Sequence, residues 1–103
     1  MNTQLLILQL LSKQDMYGYE MIEELKVKSG EAFDLKVGTL YPLLHKLEIN
    51  GHVKSYERVT ETNKVRKYYS LTPKGEKLLG IQKSDWKKYM TAVQKVLGSN
   101  IYE

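Results

Sequence analysis

Between Gly38 and Gly75 the chain carries a helix signal that runs directly into two short alternating segments, and few folds accommodate that order. Within Gly38-Thr39-Leu40-Tyr41-Pro42-Leu43-Leu44-His45-Lys46-Leu47, the residues Leu40, Leu43, Leu44 and Leu47 fall on one stripe at helical spacing, with Tyr41, His45 and Lys46 off it. Thr39 is the expected N-cap, Pro42 is expected in the first turn where its missing N–H costs little, and Asn50-Gly51 stops the helix. Segments 53–61 and 65–72 then alternate as strands, joined by the turn Glu61-Thr62-Asn63-Lys64. On the second strand Lys67, Tyr69 and Leu71 share one face, and Arg66, Tyr68 and Ser70 share the other. A helix followed at once by a charged two-stranded ribbon is the plan of a winged helix-turn-helix.

The flanking segments fit that plan. Residues 3–13 read as a helix apolar on nearly all sides and therefore buried; its apolar run is too short for a membrane span and lacks the basic flank of a signal peptide. Residues 16–28 read as a second helix, with Tyr19, Ile22 and Leu25 inward and Glu20, Glu23, Glu24 and Lys26 on the wetter side, closed by Ser29-Gly30. Tyr19 and Tyr69 are expected in the core, and Tyr41 on a partner-facing side. A last helix opens at Pro73, capped by Thr72, and runs to about residue 97. Leu79, Trp86 and Val93 repeat every seven residues along it, as do Gln82, Tyr89 and Val96. The first three helices already supply a core, so this seam is expected to meet a second copy, with Leu5, Leu8, Leu79, Trp86, Tyr89, Val93 and Val96 at the dimer interface. The expected fold class is α+β, mostly α: a winged helix-turn-helix over 1–72 and a C-terminal dimerisation helix over 73–103, within one compact unit.

Charge narrows the function. From Lys36 to Lys67 there are seven basic residues and three acidic ones, while the remainder of the chain holds nine of each. The whole excess of four positive charges therefore lies in the helix-and-ribbon segment, as a polyanion-binding surface requires. Catalysis finds no support. His45 and His52, the only histidines, have no Cys, His or carboxylate cluster near them in sequence, no Gly-rich phosphate loop is present, and no serine sits in a nucleophile elbow. The absence of cysteine excludes disulfide scaffolds and cysteine-ligated zinc, and fits a cytoplasmic location. No cofactor, metal or membrane partner is expected. The partner expected is double-stranded DNA, met by Tyr17, Lys36, Thr39, Tyr41, Pro42, His45 and Lys46 on the helical side and by Lys64, Arg66 and Lys67 on the wing. The competing reading, a winged-helix module that docks a protein, is disfavoured by the confinement of the positive charge. The single tryptophan, Trp86, lies mid-seam; a gap beside its ring, bounded by Gln82, Asp85, Tyr89 and Met90, is a candidate pocket for a planar aromatic small molecule.

In five stretches the chain resembles the PadR family of bacterial and archaeal transcriptional regulators: Leu5-Leu6-Ile7-Leu8 with Leu10-Leu11; Tyr17-Gly18-Tyr19-Glu20; Gly38 through Glu48; Gly51-His52-Val53; and Arg66-Lys67-Tyr68-Tyr69-Ser70-Leu71-Thr72-Pro73-Lys74-Gly75. The resemblance implies a winged-helix repressor, dimeric through its terminal helices, on a pseudo-palindromic operator. The single C-terminal helix is similar to the smaller subfamily, some of whose members are multidrug-responsive and line a flat pore at the dimer interface with a tryptophan at the place of Trp86. It thus implies that an aromatic effector relieves operator binding. Two departures stand out: the wing tip Glu61-Thr62-Asn63-Lys64-Val65 lacks the Gly/Pro-rich turn common in the family, and the first helix starts so early that contacts from a longer N-terminal arm are not expected.

Overall fold

The computed structural model describes residues 2–98. The elements follow in the order α1 (Thr3–Lys13), β1 (Met16–Tyr17), α2 (Gly18–Lys28), α3 (Val37–Ile49), β2 (Val53–Val59), β3 (Val65–Leu71) and α4 (Pro73–Val96). The sheet is antiparallel with strand order β1-β3-β2. This is the expected α+β, mostly helical winged helix-turn-helix. Among the described residues no helix is long and apolar enough to cross a membrane.

The helix ends are decided by local chemistry. Asn2 opens α1 by accepting the Leu5 N–H at 3.1 Å. The α2 helix begins two residues later than the periodicity suggests, because Met16 and Tyr17 pair with Tyr69 and Tyr68 of β3. Glu20 then reaches back to accept the Tyr17 N–H at 3.1 Å. With Gly18 as its first residue, α2 turns Gly18, Met21 and Leu25 inward. Tyr19, expected in the core, is instead 54% exposed, and Met21 takes its place. The α3 helix starts earlier than expected: Lys36 is its N-cap, its carbonyl accepting from Thr39 and Leu40, both at 3.0 Å. Thr39 is therefore inside the helix and caps nothing. Pro42 sits in the second turn rather than the first, and the exposed Gly38 carbonyl loses its helical donor there.

The core lies where α1, α2 and α3 meet the inner face of the sheet. Ile7, Leu8, Met21, Leu40, Leu44 and Leu47 are fully enclosed, and Leu10, Leu11, Met16, Leu25, Leu35, Val53, Tyr69 and Leu79 complete the cluster. Leu43 is half-buried at its margin. Leu8 and Leu79, expected at a dimer interface, belong instead to this core, 0% and 6% exposed.

The start of α4 is locked onto the corner between α3 and β2. Thr72 Oγ1 accepts the Gly75 N–H at 3.1 Å and donates to the Gly51 carbonyl at 2.6 Å, while the Thr72 N–H donates to the His52 carbonyl at 3.1 Å. Lys74 Nζ donates to the Asn50 carbonyl at 2.7 Å. Gly75 is pressed so closely on this corner that a Cβ there would lie 3.0 Å from the His52 carbonyl carbon and 2.6 Å from Leu71 Cδ1, and closer still to the carbonyl oxygen. The run Thr72-Pro73-Lys74-Gly75 thus joins cap, helix start and clamp in four residues. Past Leu79 none of the described residues is fully buried, and Ile81, Trp86, Tyr89, Met90 and Val96 along α4, with Leu97 at its C-cap, are exposed.

Candidate nucleic-acid interface

Burying Leu40, Leu44 and Leu47 forces the opposite side of α3 outward, and Thr39, Tyr41, Pro42, His45 and Lys46 are all exposed there. No carboxylate interrupts this side until Glu48. Lys36 lies at the same end of the helix, with its ammonium 2.7 Å from Asp34 Oδ2, a contact that holds the Asp34 carboxyl below its usual range. Tyr41 is divided between two tasks. Its hydroxyl end rests on the first residue of α2, where a Cβ at Gly18 would lie 2.7 Å from Tyr41 Cζ and nearer still to the hydroxyl oxygen. Burial pushes the Tyr41 phenol above its ordinary value. The glycine between Tyr17 and Tyr19 is therefore the seat of the tyrosine in Leu40-Tyr41-Pro42, and one packing contact explains two separate motifs. The residue as a whole is still 38% exposed.

The wing is a hairpin of β2 and β3 whose tip is a short loop. Thr60 N–H donates to the Lys64 carbonyl at 2.8 Å, and Asn63, with φ of 62°, takes the left-handed position that a glycine would otherwise fill. Lys64 is exposed beside it. Arg66 and Lys67 point to opposite faces. Arg66 lies over the Tyr17 ring at 5.4 Å, and Tyr17 meets Tyr68 edge-on at 5.4 Å. Lys67 lies 3.9 Å from Glu48 and 5.7 Å from the Tyr69 ring centroid. Two residues absent from the sequence expectation complete the outer face. Arg58 lies over Tyr68 at 4.8 Å, and Tyr56 stacks on Tyr68 at 5.9 Å while donating its hydroxyl to Asp15 Oδ2 at 2.5 Å. That donation to a carboxylate raises the Tyr56 phenol above its ordinary value.

The remaining expected residues gather on α4. Trp86 and Tyr89 are tilted against each other at 5.7 Å between ring centroids, and Val93 is half-buried. An open recess of about 390 Å³ is lined by Asn2, Gln82, Asp85, Trp86 and Tyr89. Four of the five expected pocket residues meet here; Met90 does not line the recess, and Asn2, from the start of α1, does. The Gln82 side chain donates to Gln4 of α1, which turns this seam position back onto its own chain. Leu5 is half-buried beside the core.

Comparison with known proteins places this geometry. Residues 7–81 match the model of the transcriptional regulator PadR-like family. A transcriptional regulator from Clostridium thermocellum is 36% identical, with a TM-score of 0.82 over 89% of this chain and 86% of that one. A PadR family transcription regulator from Clostridium difficile is 35% identical, with a TM-score of 0.77 over 91% of this chain and 96% of that one. A transcriptional regulator of Mycobacterium tuberculosis is 34% identical over 73 residues, which cover 71% of this chain and 64% of that protein.

Proposed function

The chain belongs to the PadR-like family of transcriptional regulators, which are DNA-binding proteins and not enzymes, and from that premise we propose that it is a dimeric repressor. The observation that carries this reading is the outer side of α3, where Thr39, Pro42, His45 and Lys46 stand exposed and free of carboxylates beside a basic ribbon. In the reading, α3 lies in the major groove, with Tyr41 offering only the part left exposed, and Lys64 and Arg66 meet the flanking phosphates. Tyr17 acts from behind, as the platform under Arg66. The part over 1–72 binds DNA and the helix over 73–103 joins two copies; residues 99–103 lie outside the described ones. Trp86, Tyr89, Val93 and Val96 form the seam, with Leu5 at its edge. A two-fold there sets the two α3 helices about one DNA turn, roughly 34 Å, apart on a pseudo-palindromic operator. The protein works in the cytoplasm, where that DNA is.

The recess at Trp86 supports an effector reading: a planar aromatic molecule stacks on the indole, is oriented by Gln82 and Asp85, and releases the operator. The test is selection of bound fragments from genomic DNA, followed by sedimentation of the complex. Enrichment of a two-fold-symmetric sequence bound by two chains is the expected result. Enrichment of no sequence, or binding by a single chain, refutes the reading.

A further inference from the structure

The two faces of the wing differ in charge. On the face turned toward the helices, Lys67 lies 3.9 Å from Glu48 Oε1 and directly across the ribbon from Glu57. Glu48 is itself anchored by Ser55, whose hydroxyl donates to Oε2 at 2.5 Å. Toward the tip this face ends in Val59 opposite Val65, both exposed. Its one cation is thus matched by two carboxylates.

On the other face Arg58 stands directly opposite Arg66. Like charges in that register cost stability. Among the described residues neither guanidinium has a carboxylate within ion-pairing distance. Asp15 on this side is taken by the Tyr56 hydroxyl, and Glu20 by the Tyr17 N–H. Glu20, and Glu61 at the exposed loop, line the same recess of about 390 Å³ as the two arginines. Each guanidinium lies over a tyrosine ring, Arg58 over Tyr68 at 4.8 Å and Arg66 over Tyr17 at 5.4 Å, which pre-orders both side chains without neutralising them. A repulsive pair of this kind, held in place by rings, is relieved when an anion sits between its members. The planar fork of arginine matches the oxygens of a phosphate.

We propose that the wing takes a DNA phosphate between Arg58 and Arg66, and that Glu48 and Glu57 keep Lys67, which the sequence alone places on the DNA, out of that contact. The proposal rests on the DNA-binding reading above. It makes Glu48 a specificity residue: a carboxylate at the end of α3 that withholds one cation from indiscriminate phosphate binding, and so lowers affinity for DNA of the wrong sequence.

The experiment measures fluorescence anisotropy of a labelled mixed-sequence duplex with the whole protein over a range of salt. Arg58→Ala and Arg66→Ala should each flatten the plot of log affinity against log salt by about 0.9 per engaged wing. The ratio of affinities at about 50 and 200 mM salt then narrows by about 3.5-fold per wing. Arg58→Lys, which keeps the charge, should retain the slope even if loss of the Tyr68 contact makes Arg58→Ala unstable. Lys67→Ala should leave the slope unchanged. Glu48→Gln should steepen it by freeing Lys67, and Lys67→Ala in that background should remove the gain. An unchanged slope in both arginine variants, or a loss in Lys67→Ala equal to theirs, overturns the proposal while leaving the DNA reading intact. Failure of the unmodified protein to bind the duplex at low salt overturns both.

Discussion

Replacing Gly75 by Ala sets two opposed effects of one methyl group against each other. Alanine is favoured over glycine inside a helix by about 1 kcal/mol. At position 75, however, the new Cβ would meet Leu71 Cδ1 at 2.6 Å and the His52 carbonyl carbon at 3.0 Å. The leucine can turn, but the carbonyl is backbone and is also the acceptor for the Thr72 N–H at 3.1 Å. Relief requires α4 to move away from the α3–β2 corner. Overpacking of this kind costs about 1–3 kcal/mol, and weakening the Thr72 hydrogen bond adds about 0.5–1.5 kcal/mol. Net of the gain in helix propensity, the expected loss is about 2 kcal/mol. For a domain of this size each kcal/mol shifts the midpoint by about 4–8 °C, so Tm should fall by about 8–16 °C. Gly80, five residues on in the same helix, is the internal control: a Cβ there meets nothing within 4 Å, and Gly80→Ala should raise Tm by about 4–8 °C. Both variants are read by circular dichroism during heating, at one protein concentration because the protein is expected to dimerise. A Gly75→Ala protein as stable as the unmodified one would refute the clamp between α4 and the α3–β2 corner.

Three further outcomes are expected. Tyr89→Asp, at a position 60% exposed on α4, should leave the domain folded but convert the sedimenting species at micromolar concentration from dimer to monomer; a persistent dimer would remove Tyr89 from the seam. Trp86 is the only tryptophan, so saturable quenching of its fluorescence by planar cationic dyes or phenolic acids, together with a shift in operator affinity, is expected if the recess holds an effector; quenching without any shift means a pocket that does not regulate. Burial raises the Tyr41 phenol above its ordinary value, so its contribution to stability is complete below pH 10 and is lost as pH rises through the raised folded value; Tyr41→Phe should flatten the fall in stability on that alkaline side, measured by denaturation from pH 9 upward.

What the sequence determined by itself was whatever rests on neighbours along the chain. The span of α1, the start of α4 at Pro73 with its Thr72 cap, the two strands of the wing and the inward leucines of α3 all follow from period, cap and turn chemistry within a few residues. The charge excess that points to a polyanion is likewise a property of composition along one segment. The tertiary structure decided what depends on elements far apart in sequence. Met16 and Tyr17 became a strand only because β3 offers them partners. Gly18, Met21 and Leu25 face inward, and Tyr19 does not, because Tyr41 of α3 occupies the space over Gly18. Leu79 keeps a heptad's spacing with Trp86 and Val93, but it and Leu8 were taken by their own core, since α4 packs on α1. The register of the wing is the sharpest case. A four-residue turn over 61–64 would set Arg58 across from Lys67. The shorter loop, closed by Asn63 in the left-handed region, sets it across from Arg66. Moving the register by one residue turns every side chain of a strand to the other face, and no pattern within either strand records which register the loop selects.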